Sequence, residues 1–286
     1  MTSSTHNLTE PASAALPLPQ SAPARRTTWT EIKTFLRMDA IEDWSTPNRQ
    51  LQQATLMTVV LIVLYALSNM IAAPTHYFAF SVLGLACMDV MATTLASFSL
   101  RAHSYQSSGR LEAILMAHIP LWRVLALASL GDVLRSLSRG LIYLTAIALL
   151  NGEALTNAQW VAASSVFALG LLVLLSIGLL SASVTILLRR GDPLAWLLGL
   201  SSLLLSGVLY PLEHLPEGLG ALAGLLPLTP MLHGLRAALL AGQPLDALTP
   251  ELLHLSLFFA LLAPLSLVAL LRATRSTLHH GASPLS

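Results

Sequence analysis

Six runs of about twenty apolar residues constrain this chain more than any motif in it. They lie at about 51–73, 78–100, 125–150, 161–188, 194–210 and 252–271. Roughly twenty such residues are what a helix needs to cross a hydrocarbon core about 30 Å thick. No water is available there to bond free amides and carbonyls, so only helices and closed barrels can span it. Nothing in the chain alternates with the period of two that a strand requires. The expected fold is therefore an all-α integral membrane bundle of six transmembrane helices. Charged residues make up 10% of the 286, against roughly 25% in an ordinary soluble domain. The third and fourth runs are long enough to tilt or protrude; the fifth is the shortest.

Orientation follows from the basic residues, which are retained on the cytoplasmic side. Arg25, Arg26, Lys33, Arg37 and Arg49 precede the first run; Arg101, Arg110 and Arg123 separate the second from the third; Arg189 and Arg190 separate the fourth from the fifth; Arg272 and Arg275 follow the sixth. The other three connections hold only Arg236. All six spans thus agree with one alternation that places both termini in the cytoplasm. Net charge is +1, which gives no electrostatic reason to expect nucleic acid. The single cysteine, Cys87, can form no disulfide within the chain and reads as a small buried hydrophobe.

Residues 1–27 are rich in Ser, Pro and Ala and lack the apolar core of a signal peptide, so they read as a disordered cytoplasmic tail. The sequon at Asn7 should accordingly be unmodified. Residues 28–275 form the membrane domain, and 276–286 a second cytoplasmic tail. Within WTEIKTFLRMDAIEDW (29–44), Trp29, Ile32, Phe35, Leu36 and Trp44 fall largely on one helical face. That pattern predicts an interfacial amphipathic helix with its tryptophans at headgroup depth; a soluble helix packed on a partner is the alternative.

The stretch YPLEHLPEGLGALAGLLPLTP, residues 210–230, is mostly apolar yet carries four prolines and two glutamates. Pro216 suits a first helical position, Thr229 before Pro230 can cap a helix, and Gly242 makes a natural stop. Two short helices result, at about 217–226 and 231–241, each about 15 Å long at 1.5 Å per residue. Half a membrane is too little to cross, and both helices are too apolar for water. Residues 211–242 are therefore expected to form an extracytoplasmic re-entrant hairpin between the fifth and sixth spans. Backbone freed at Pro211, Pro216 and Pro227 must be satisfied within the protein or by cavity water. A single kinked span, giving seven in all, would send the carboxyl terminus outside, against the sidedness that Arg272 and Arg275 indicate.

The run from Ser206 to Gly242 resembles the signature of type-2 ABC transporter permeases. It has Ser206-Gly207 near the end of the fifth run, the aromatic-proline pair Tyr210-Pro211, Leu215-Pro216, then Pro227-Leu228-Thr229, and Arg236 before the closing Gly242. A second segment, SGRLEAILMAHIPLWRVL at 108–125, is similar to the Gly-x-Leu-Glu motif that this family carries after its second span. The resemblance covers about 29–275. It implies a multi-pass exporter subunit of the plasma (inner) membrane, lining a path together with a second permease, identical or homologous. It also implies two copies of a separate ATPase subunit, which would hold the ATP and Mg, docked on the loop that contains Gly109, Arg110, Leu111, Glu112 and Leu115.

That loop suits docking on its own chemistry. Ser107 or Ser108 can cap a helix in which Leu111, Ile114, Leu115 and His118 recur at helical spacing, an apolar ridge with charged flanks; a helix lying on the bilayer is the plainer reading. Asp89 lies mid-span, where an ionised carboxylate costs roughly 2.5–3.5 kcal/mol on insertion scales. Either it is a hydrogen-bonded carboxyl tying helices together or it is a proton or substrate site, and no partner is evident from its neighbours in sequence. Asp132, Arg135 and Arg139 share one face of the third span, read as an interfacial ion pair with both arginines reaching headgroups. Glu213 and Glu217 belong at the outer mouth, as solvated carboxylates or in substrate exit. Arg236 matches the family's arginine without an evident role.

No G-x-x-x-x-G-K-[ST] phosphate loop occurs, so a pump of this sequence must borrow its ATPase. No metal-ligating motif and no catalytic residue set is present. The rival reading is a proton-coupled secondary transporter, or a small-molecule membrane enzyme, that uses Asp89.

Overall fold

A computed structural model describes residues 47–70, 74–116, 120–188, 191–212 and 216–281. The terminal tail 1–27, the amphipathic segment 29–44, Glu213, Leu215, His118, Arg189, Arg190 and residues 282–286 lie outside the described residues, as do the side chains of Glu112 and Glu217. Nine α-helices follow one another among the described residues: α1 Pro47–Met70, α2 Pro74–Ser107, α3 Arg110–Met116, α4 Leu121–Leu150, α5 Trp160–Leu188, α6 Pro193–Leu205, α7 Glu217–Gly224, α8 Leu228–Leu239 and α9 Thr249–Gly281. No strand occurs among these residues.

Four helical segments among the described residues are long and apolar enough to cross a membrane: Tyr77–Ser107, Leu121–Leu150, Trp160–Leu188 and Leu245–Arg275. A fifth would come from α7 and α8 if that pair, bent by 86°, counted as one span. The six-span expectation is therefore met only in part. The apolar stretch of α1 within the described residues is Thr55–Met70, and α6 has only 13 residues, about 20 Å at 1.5 Å per residue. The fifth run was expected to continue to residue 210 but leaves the helix after Leu205. Gly207, at φ +68°, takes a left-handed conformation that a helix cannot continue. At the other end of the chain, α9 continues helically through residues 276–281.

The helix α5 is the hub of the bundle, packed against α9, α2 and α8. Without hydrophobic drive between helices in lipid, close approach depends on small residues at the contacts. Gly178 gives room to the Phe98 ring of α2, and Gly170 seats Met231 of α8. Two apolar clusters result. The larger joins α1, α2, α4, α5, α8 and α9. The smaller gathers Phe98, Leu111, Leu125 and Ile186 with Leu270 of α9 at the end of the bundle where α2 turns into α3.

A Cβ added at Gly178 would lie 2.8 Å from Phe98 Cδ2, and that ring is 1% exposed and has nowhere to go. Gly178→Ala is therefore expected to destabilise the bundle by about 1–3 kcal/mol. Gly199→Ala in α6, where a Cβ would meet nothing within 4 Å, should be neutral or slightly stabilising. Thermal unfolding of the two variants in the same detergent checks the contrast.

Candidate functional site

Among the described residues, arginine enters the bundle at two places, and each is built by a different exception to apolar packing. The first is the seam between α2 and α4. These neighbours run antiparallel, so residues late in α2 meet residues early in α4. Arg101 Nη2 donates to Asp132 Oδ2 at 3.1 Å, and Arg135 Nη2 donates to Asp132 Oδ1 at 2.5 Å. Further along the seam, Arg139 Nε donates to Asp89 Oδ2 at 2.8 Å and its Nη2 to Asp89 Oδ1 at 3.3 Å and to Thr93 Oγ1 at 2.8 Å. Asp89 therefore has a partner fifty residues away. Arg139, expected to reach headgroups, is instead turned onto a carboxylate: its side chain is 19% exposed and that of Asp89 28%. The expected pairing of Asp132 with Arg135 is present, but the same carboxylate also holds Arg101 of α2.

With both oxygens engaged, Asp89 acts as a tie between helices, and Thr93 completes the set of acceptors for the guanidinium. Hydrogen bonds to charged groups are worth more than neutral ones, and more so where water is scarce. Among the described residues the seam brings three arginines, Arg101, Arg135 and Arg139, onto Asp89 and Asp132.

The second place is the break between α6 and α8. After α6 unwinds at Ser206, the chain crosses close over α2. Gly84 makes that approach possible, because a Cβ there would run into the Val208 carbonyl oxygen and lie 2.9 Å from Arg236 Nη2. Arg236 of α8 supplies what the unwound backbone lacks. Its Nη1 donates to Gly207 O at 2.8 Å, and its Nη2 donates to Val208 O and to Phe80 O at 2.9 Å each. The guanidinium carbon sits 3.3 Å from the centroid of the Phe80 ring, a cation–π geometry. Nearby, Thr229 Oγ1 donates to Ser206 Oγ at 3.1 Å, and the Tyr210 hydroxyl donates to the Leu204 carbonyl.

These contacts correct the expected start of the second short helix. Thr229 lies inside α8 rather than capping it; Pro227 holds the cap position, and the Thr229 hydroxyl is spent on Ser206. The stop is as the sequence indicated: Gly242 adopts φ +65°, and Gln243 N donates back to Ala237 O at 2.9 Å. Pro211 and Pro216 flank the segment 212–215, and Pro216 caps α7. Pro230 falls in the first turn of α8, where its missing donor is not needed.

The loop after α2 also differs from expectation. Ser107 and Ser108 both donate to the Ser104 carbonyl and close α2 instead of capping α3. Gly109 at φ +70° makes the corner, and Arg110 is exposed just beyond it. Leu111 is 2% exposed, with Ile114 and Leu115 partly covered by the same cluster. Leu111 thus packs into the chain's own bundle, while Ile114 and Leu115 keep part of their surface open. Among the described residues of the loop, Ser107, Ser108, Gly109, Arg110 and Met116 are exposed.

A family model described as ABC-2 type transporter matches residues 28–240. The chain belongs to the ABC-2 type transporter family. No individually curated protein matches it. Membership makes the chain the permease component of an ABC-type transporter, a multi-pass membrane protein and not itself a catalyst; ABC-2 permeases generally work with an ABC ATPase.

Two features of the permease were missed from its sequence. Asp192 caps α6, accepting from Leu194 N at 3.1 Å and Ala195 N at 3.0 Å, while Ser181 of α5 donates to its other oxygen. An aspartate directly before Pro193 is a recognisable helix start. The pair His233 Nδ1 and Glu251 Oε1, 2.9 Å apart, links α8 to α9 and carries no comparable local signature.

Removing Arg139 would strand Asp89 in the seam. Arg139→Gln is expected to cost about 1.5–3 kcal/mol, and the double change with Asp89→Asn to recover part of it. A double-mutant cycle on thermal unfolding in detergent checks this, with a coupling energy above about 0.5 kcal/mol expected for groups in direct contact.

Proposed function

We propose that this permease is the path-forming subunit of an exporter, working as a dimer with a second permease and driven by two copies of a separate ATPase that binds ATP and Mg. The observation that carries the reading is the family match over 28–240 in a chain that contains no phosphate-binding loop. The basic residues favour a cytoplasmic position for α3. ATP binding on the partner would draw the two copies of α3 together and bias the bundle toward an outward-open arrangement, and hydrolysis would reset it. The hairpin at 211–242, in the outer leaflet, would line or gate the exit. Gly109 and Arg110 present the polar corner to the ATPase, while Leu111 and Leu115 hold that corner to the bundle.

The rival reading, a proton-coupled secondary transporter or small-molecule membrane enzyme, uses Asp89. Its two bonds from Arg139 favour a structural tie instead.

Copurification in mild detergent with a coexpressed ABC ATPase, followed by an ATPase assay, tests the reading. The complex is expected to hydrolyse ATP and the chain alone to do nothing. Arg110→Glu, at an exposed position, should remove most of the bound ATPase without lowering the unfolding temperature. Transport by the chain alone under a pH gradient would contradict the proposal.

A further inference from the structure

Arg236 is an expensive choice for a packing role. No carboxylate among the described residues bonds to it, and its Nε is buried without an acceptor. Burying a guanidinium in that way carries a desolvation penalty that an apolar side chain of similar size would avoid. What an apolar side chain could not do is bond three carbonyls at once. Two of these, Gly207 and Val208, belong to the unwound end of α6, and the third, Phe80, belongs to α2. A planar fork of donors is suited to that arrangement and a single ammonium is not.

The backbone on all three sides is shaped to the same contact. Gly84 leaves room for the Val208 carbonyl, Gly207 turns through φ +68° to aim its own carbonyl, and the Phe80 ring covers the guanidinium face. From Phe80 to Ser107, α2 continues as one helix with no internal proline, about 40 Å at 1.5 Å per residue, and it leads through the Gly109 corner directly into α3.

We propose that Arg236 is a positioning residue that pins the α7–α8 segment to α2, so that a displacement of α2 at its α3 end carries the segment with it. What moves α2 rests on the permease function proposed above; the pin itself does not.

The pin is read in the full chain alone. In a Cys87→Ala background, Val208→Cys places a thiol at a position that is 0% exposed, and its rate of reaction with a water-soluble maleimide is measured in detergent. That rate is expected to rise about tenfold in Arg236→Gln and in Gly84→Ala, a ratio corresponding to about 1.4 kcal/mol. Arg236→Lys should not restore slow labelling, since one ammonium nitrogen cannot occupy both the Nη1 and the Nη2 positions from which the carbonyls are bonded. A parental rate in Arg236→Gln or Arg236→Lys overturns the pin. Should neither Arg236 variant accumulate as folded protein, Phe80→Leu, which removes only the ring, should label about threefold faster, in keeping with the size of a cation–π contact; a parental rate there overturns it equally.

The transmission is read in the complex with the ATPase. A nonhydrolysable ATP analogue should change labelling of the Val208→Cys thiol in the otherwise parental chain and leave it unchanged when Arg236→Lys is added; an equal change in both overturns the role in transmission. If no ATPase complex forms, the proposed function fails while the measurement on the chain alone still decides the pin.

Discussion

Backbone that leaves a helix inside a membrane protein must find partners within the protein, and at the end of α6 that demand falls chiefly on one side chain. Arg236 satisfies two carbonyls of the unwound segment and ties them to a carbonyl of α2. Much else follows from this contact. Gly84 has to lack a side chain, Gly207 has to turn left-handed, and α8 has to lie close enough to α5 for Met231 to fill the notch at Gly170. The chain can therefore hold a sharply bent helix pair against long, continuous helices without leaving its carbonyls bare.

The same helix α2 carries the charged seam. Its tie to α4 runs through Asp89 and Asp132, and its other side closes on α5 through Phe98 and Gly178. Polar contacts thus fix register along one flank and close packing fixes distance along the other. Both are short-range, so α2 is constrained over most of its length to move as a unit with its neighbours.

Legibility in the sequence tracked the range of the interaction concerned. The helical class and the breaks at Pro216 and Gly242 are local facts, set by the hydrocarbon, by proline's missing donor and by glycine's freedom, and the chain displays them directly. Thr229 misled because threonine before proline has the look of a cap, whereas Pro227 had already started the helix. The periodicity of Leu111, Ile114 and Leu115 truly marks an apolar face, but periodicity does not say how much of that face the chain itself covers; here it buries Leu111 and covers the other two in part. The partners of Asp89 and Arg236 were hidden for a different reason. Each requires knowing how two helices far apart in sequence are aligned, and nothing local to either residue encodes that register. Asp192-Pro193 is the converse case, a local signal that was readable and passed over.

Sidedness is the premise on which the exporter reading rests: the basic turns are cytoplasmic, and the proline-broken segment returns to the outer face without crossing. The most direct measurement is the accessibility of Gly220→Cys in a Cys87→Ala background, at a position where a side chain meets nothing within 4 Å. An impermeant maleimide added to intact cells is expected to label it. Labelling only after the cytoplasmic face is opened would contradict the topology and the proposed role of the hairpin with it.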